Sequence, residues 1–255
     1  MPAAFTDYID VAQVALYAFW IFFAGLIYYL HSEDKREGYP LESDRSAHIT
    51  VQGYPPIPTP KTFRLTHGGE VSVPNSKRDS REIRAKPTGP WPGAPLEPTG
   101  DPMLDGVGPA AYAERSDRPE LTLDAQPKIV PLRVAKDFHV DHNDPDPRGM
   151  SVIGADRIVA GTVRDIWVDR SEYLIRYVEV EVPITNGTRR VLLPYNMMKV
   201  RNARVEVKSI LARHFATVPT TKLPDQVTLL EEDKIMAYYS SGHLYALPAR
   251  AEPVI

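Results

Sequence analysis

The densest collection of groups that could hold or transfer anything is His139, Asp141, His142, Asp144 and Asp146. Imidazoles and carboxylates at this density could bind zinc or manganese, and the acids are similar to those of a calcium loop. Such a loop needs glycine at its sixth position and glutamate at its twelfth, whereas Pro145 and Pro147 interrupt this stretch. A solvated acidic turn is the expectation. Glu172 and Arg176 form a second candidate, because Arg176 falls on the otherwise apolar face of a strand pattern. A charge placed there must be paired or must line a polar cavity. An ion pair at the rim is the ordinary outcome.

Other chemistries lack their residues. The chain has no cysteine, which excludes disulfides, thiolate nucleophiles and sulfur-ligated metals. None of its 15 glycines lies in a phosphate-cradling loop, and neither a Gly-x-Ser-x-Gly elbow nor a His-Glu-x-x-His helix is present. With 30 basic and 33 acidic side chains there is no global pull towards nucleic acid. Dedicated catalysis is not expected.

The elements that must position these groups begin with an anchor. From Val11 to Leu30 no side chain is charged, and at ~1.5 Å rise per residue this run matches the ~30 Å hydrocarbon core of a bilayer. Asp10 is placed to cap the helix, and Trp20, Tyr28 and Tyr29 are the candidate membrane anchors. A cleaved signal peptide would need a basic start, but only Asp7 and Asp10 are charged there. Lys35, Arg36 and Arg45 follow the helix and no Lys or Arg precedes it, which predicts a cytoplasmic C-terminal side. The expected organisation is a periplasmic segment 1–10, a transmembrane helix 11–31, an extended proline-rich surface segment 32–135 and a cytoplasmic β domain 136–250.

The middle segment is punctuated by prolines, with short strands expected at Thr62–Leu65 and Glu70–Val73. Tyr54, Ile57, Phe63, Trp91, Leu96, Met103 and Tyr112 recur along it, which suggests a strap lying on another surface rather than a disordered linker. Beyond it, Ile158–Val168 is rich in β-branched residues and Tyr173–Val182 alternates. The alternation predicts a hairpin turning through Asp169–Glu172, with Leu174, Arg176, Val178, Val180 and Val182 on one face. Asn186-Gly187 predicts a second hairpin to Arg189–Leu193, and short strands follow at Met198–Val200 and Arg204–Val207. Strands at this spacing suggest a small barrel. Thr228 and Glu231 form a capping box for a helix near 229–241, with Gly242 as its expected stop.

Several segments together carry a resemblance. FWIFFAGLIYYL (Phe19–Leu30), REGYPLE (Arg36–Glu42), PKTF (Pro60–Phe63), PTGDPMLDGVGPAAY (Pro98–Tyr112), DIWVD (Asp165–Asp169) and TLLEEDKI (Thr228–Ile235) run in order across nearly the whole chain. In this combination the chain resembles the H subunit of the purple-bacterial photosynthetic reaction centre. The resemblance implies one transmembrane helix, an extended segment and a cytoplasmic PRC-barrel-type domain, in the bacterial inner (intracytoplasmic) membrane. It implies the L and M subunits as partners, with light-harvesting antenna and membrane lipids around them. It also implies a complex that carries bacteriochlorophyll, bacteriopheophytin, quinones, non-haem iron and carotenoid, none of them ligated by this chain.

In that family the cytoplasmic domain caps the quinone end of L and M and helps deliver protons to the secondary quinone. Position by position, Glu172 matches the family's acid nearest that quinone, and Asp169 and Arg176 match its neighbours. His67 and His139 are weaker matches. Some members carry a histidine pair, regarded as the proton entrance, shortly after the Pro-Glu-Leu that here is Pro119–Leu121. This chain has Thr122, Leu123, Asp124, Ala125 and Gln126 there. Asp124 is the candidate replacement, although an imidazole buffers closer to neutral pH than a carboxyl group does. Two rival readings stand beside this one. A membrane-tethered PRC-barrel adaptor would bind other proteins, and a tethered hydrolase would use the His139–Asp146 cluster.

Overall fold

A computed structural model of the chain describes residues 10–42, 50–66, 68–75, 77, 79–91 and 93–251. They fall into two compact units, residues 1–78 and 79–255.

The first unit is built on helix α1, Val11–Glu33, whose 23 residues give it a length of ~35 Å. Asp10 caps it, its Oδ1 accepting the Ala12 N–H at 3.0 Å. None of its residues is buried, so its apolar surface faces outward along its whole length. Beyond the helix, β1 (Leu41–Glu42) pairs antiparallel with β2 (Thr50–Val51), and β3 (Lys61–Arg64) with β4 (Glu70–Val73).

The second unit opens with a small hairpin, β5 (Ala85–Pro87) on β6 (Leu96–Pro98). Its centre is a seven-stranded sheet made from β7 (Ile129–Pro131), β8 (Ser151–Ile153), β9 (Val159–Asp169), β10 (Leu174–Ile184), β11 (Gly187–Pro194), β12 (Met198–Arg201) and β13 (Arg204–Val207). The order β11-β10-β9-β8-β13-β12 is antiparallel except for the parallel β8 and β13 pair. Strand β9 organises it: β10 occupies one edge, while the other is shared by β8 along its first half and β7 along its second. The sheet therefore draws in Ile129–Pro131, upstream of the expected boundary at residue 136, because the second half of β9 would otherwise show an unpaired edge.

Gly161 makes the β9–β10 approach possible, since a Cβ there would lie 2.3 Å from the Glu181 carbonyl oxygen. Trp167, Tyr239, Phe215, Ile166, Leu193, Ile210 and Ile235 fill the core, each at most 1% exposed. Helix α2 (Leu229–Tyr245) covers it with the expected capping box: Thr228 Oγ1 accepts from Glu231 N–H at 3.2 Å, and Glu231 Oε2 accepts from Thr228 N–H at 2.9 Å.

Gly242 does not stop this helix, which continues to Tyr245. It is buried, and a Cβ would meet the Ser209 carbonyl oxygen at 2.6 Å and Ile210 Cγ2 at 2.4 Å. The glycine is there to let the helix approach the chain after β13, a use that one sequence cannot distinguish from a cap. Of the apolar residues expected to line a strap, Met103 is buried at 6%, whereas Tyr54, Trp91 and Leu96 are 78%, 53% and 49% exposed.

Candidate functional site

The β9–β10 hairpin turn gathers the charged groups. Asp169 ends β9 almost fully buried, at 1% exposure. Its Oδ1 accepts the N–H groups of Ser171 and Glu172, both at 2.9 Å, and its carbonyl accepts from Tyr173 N–H at 2.9 Å. This side-chain turn is the reason an aspartate serves here: it folds the loop back and aims Glu172 outward. Tyr173 completes the reversal in the left-handed region at φ 56°.

Opposite lies a residue that the sequence did not single out. Lys128 precedes β7, and the pairing of Ile129 with Asp169 brings its ammonium into the turn. Nζ stands 3.0 Å from Glu172 Oε1, 3.4 Å from Asp169 Oδ2 and 3.4 Å from Glu120 Oε2. Burial would push the Lys128 ammonium down. The hydrogen bond to Glu172 and the charges of Asp169 and Glu120 outweigh it, so its pKa is raised. The cluster is three carboxylates around one fixed cation, with Glu172 and Glu120 about half exposed.

Asp124 lies beside it. Residues Thr122–Gln126 form a tight turn closed by Thr122 N–H on the Gln126 carbonyl at 2.8 Å, with Ala125 at φ 57°. Asp124, Leu123 and Gln126 line a shallow depression of about 410 Å³ together with Arg170, Ser171 and Tyr173. Arg170 fastens the two turns by donating from Nε to the Pro127 carbonyl at 3.1 Å. His139 is exposed and follows Phe138, whose ring packs on Tyr173 at 5.3 Å between centroids. His67 lies outside the described residues, as does Arg45.

Arg176 is not part of this cluster. A β-bulge between Ile175 and Tyr177 makes Arg176 the extra residue of β10, which takes it off the alternating pattern. Its Nη2 stands 3.5 Å from Glu232 Oε2, in the first turn of α2, and the Tyr177 hydroxyl donates to the same oxygen at 2.8 Å. Burial raises the Glu232 carboxyl's pKa, against the lowering effects of the Tyr177 hydrogen bond and the Arg176 charge. The Tyr177 hydroxyl is likewise pushed up by burial and by the Glu232 charge.

Glu179 is 3% exposed. Arg133 Nη1 donates to its Oε2 at 2.8 Å and to Asp165 Oδ2 at 2.9 Å, Trp167 Nε1 donates to the same Glu179 oxygen at 3.1 Å, and Arg190 lies at 3.2 Å. Both faces of the central hairpin are covered, so alternation no longer sorts inside from outside.

Two of the potential metal ligands are engaged by neighbours in the chain. Asp141 Oδ1 accepts from the backbone and side chain of Asn143, and Asp146 pairs with Arg148. Among the described residues no group of three or more His, Asp or Glu is placed to hold a metal ion.

In the anchor, Tyr28 and Tyr29 lie near the C-terminal end of α1, about half exposed. Trp20 lies near the helix midpoint, ~14 Å from Val11, with its ring against Phe19 and Phe23.

A long apolar helix followed by a mostly antiparallel sheet covered by one helix is the architecture of a membrane-associated protein with a mainly β domain. Residues 139–214 match the PRC-barrel domain family. Residues 3–134, about half of the chain, match the family described as photosynthetic reaction centre, H-chain N-terminal region. The chain belongs to the reaction-centre H-chain family, a structural subunit of a photosynthetic complex that associates with its core.

Proposed function

We propose that this subunit stabilises the L and M core, closes its quinone side and helps carry protons to the secondary quinone. Helix α1 crosses the bilayer with the second unit on the cytoplasmic side, as the basic residues after the helix favour. The strap residues left exposed, Trp91 and Leu96 among them, find their cover on the core. The pigments, quinones, iron and carotenoid belong to the other subunits, with antenna and lipids surrounding the assembly.

The observation that carries the relay is the clustering of Glu120, Asp169 and Glu172 on Lys128, beside the depression lined by Asp124. A bound quinone supplies the electron-accepting chemistry, and its full reduction consumes protons in a site that protein seals from water. The residues of this chain supply the path. Lys128 holds Glu172 and Asp169 in a fixed geometry while the complex is at rest. As negative charge builds up nearby, a carboxylate in its field gains proton affinity, so Glu172 takes a proton at its carboxylate oxygens and releases it inward. Asp124 and His139, both exposed, are the further polar groups of this path. Arg176 belongs to the Glu232 pair and has no part in this step.

The test is Glu172→Gln in the assembled complex. Slower second electron transfer and smaller flash-induced proton uptake are expected. If both stay at wild-type values, the relay is wrong.

A further inference from the structure

Lys35 is the first cation after the apolar helix, yet it is only 3% exposed. Its ammonium donates to the Gln52 carbonyl at 2.9 Å and the Pro55 carbonyl at 2.6 Å, and lies over the Tyr39 ring at 5.1 Å. A Cβ on Gly53, at φ 66°, would stand 3.3 Å from the same Nζ. Arg36 pins the chain further along, donating to the Thr59 carbonyl at 2.8 Å and the Val73 carbonyl at 3.2 Å while Glu33 holds its guanidinium. The two cations thus hold residues 52–59 against the helix end, where a free lysine would reach into the headgroups or water.

Clamping Gln52 and Pro55 presents the residue between them. Tyr54 is 78% exposed, and its only ring partner among the described residues is Tyr28, at 6.0 Å between centroids. Tyr28 belongs to the last turns of the uncharged run of α1, where an amphipathic ring meets the headgroups. A ring within 6.0 Å of it lies at nearly the same depth. The cross-strand pair Leu41 and Val51, 49% and 52% exposed, lies directly before this loop. We propose that the Gln52–Pro55 loop is a second membrane contact, with Lys35 as its internal clamp and Tyr54 as a third interfacial ring beside Tyr28 and Tyr29. Its occupant is the headgroup zone of the bilayer. Such a contact outside the helix fixes the depth and rotation of α1, which an apolar run alone leaves free.

This inference rests on the spanning reading of α1, and the experiment separates the two. The chain has no cysteine, so a nitroxide can be attached at a single engineered site. Labels at Tyr54→Cys, Phe22→Cys within the helix and Leu123→Cys, 97% exposed in the other unit, are compared in the full chain in phospholipid vesicles. Relaxation by oxygen, which concentrates in lipid, is measured against relaxation by a water-soluble nickel chelate. The oxygen-to-nickel ratio at position 54 should stand several-fold above that at position 123, and Lys35→Met should move it towards the aqueous value. A position 54 label that behaves like position 123, with position 22 still lipid-like, overturns the second contact and leaves the span intact. An aqueous position 22 overturns both. The same label in the assembled complex should remain oxygen-accessible; shielding from both relaxants would make a protein partner the occupant and overturn the proposal.

Discussion

Lys128→Met tests the charge cluster at its centre. The substitution keeps a similar length of apolar side chain and removes the one cation that, among the described residues, touches Glu120, Asp169 and Glu172 together. Glu120 and Glu172 are about half exposed and can rehydrate, so each loses no more than about 1 kcal/mol. Asp169 cannot, because its side chain is 1% exposed and its Oδ2 has no hydrogen-bond partner. Breaking a buried ion pair costs ~3–5 kcal/mol, but Asp169 keeps two backbone N–H donors and its contact with Lys128 is long at 3.4 Å. A net loss of about 2 kcal/mol follows, which for a protein of this size lowers Tm by roughly 4–8 °C. Without the cation that holds Glu172 in place, flash-induced proton uptake by the complex should be slower. Lys128→Arg should restore most of both properties. Thermal unfolding of the full chain and dye-monitored proton uptake by the complex are the assays. A Lys128→Met protein with unchanged Tm and an unchanged rate of proton uptake would refute the reasoning.

Two further substitutions probe the buried charges elsewhere in the sheet. Arg133→Ala leaves Glu179 and Asp165, 3% and 7% exposed, without their shared partner, although Arg190 remains 3.2 Å from Glu179. A loss of ~3 kcal/mol in urea unfolding is expected, and a change below ~1 kcal/mol would show that the network is dispensable. Glu232 has a carboxyl pKa raised by burial, so the folded state binds its proton more tightly than the unfolded chain does. The penalty is absent below the ordinary value of 4.5 and grows as pH rises from there through the folded value. Glu232→Gln should therefore be more stable than wild type at neutral pH and lose that advantage in acid. Parallel unfolding curves at both pH values for the two proteins would contradict it.

The local signals in the sequence translated directly into structure. Asp10 and Thr228 cap the helices they precede, and the turn after Asp169 joins two paired strands. What stayed hidden depends on residues far apart in the chain. Lys128 reaches Glu172 across 44 positions because β7 and β10 flank β9 on opposite edges, and periodicity says nothing of such neighbours. Arg176 is paired, as a charge within an apolar strand pattern must be, but its partner Glu232 lies on α2, which periodicity along the strand does not indicate. Glu179 is buried because the segment carrying Arg133 covers the second side of the hairpin, and alternation along a strand does not show such a cover. Gly242 follows the same logic: a close approach by Ser209 and Ile210, distant in sequence, requires it.

The central claim places the β9–β10 turn against the core at its quinone side, and cross-linking reads that contact directly. A photoactivatable reagent on Leu123→Cys or Tyr173→Cys, exposed 97% and 80% in this chain, is irradiated in intact membranes and the products are identified by mass spectrometry. Adducts to the L or M subunit are predicted from both positions. Adducts to unrelated proteins alone, with the pigmented complex still assembled, would contradict the account.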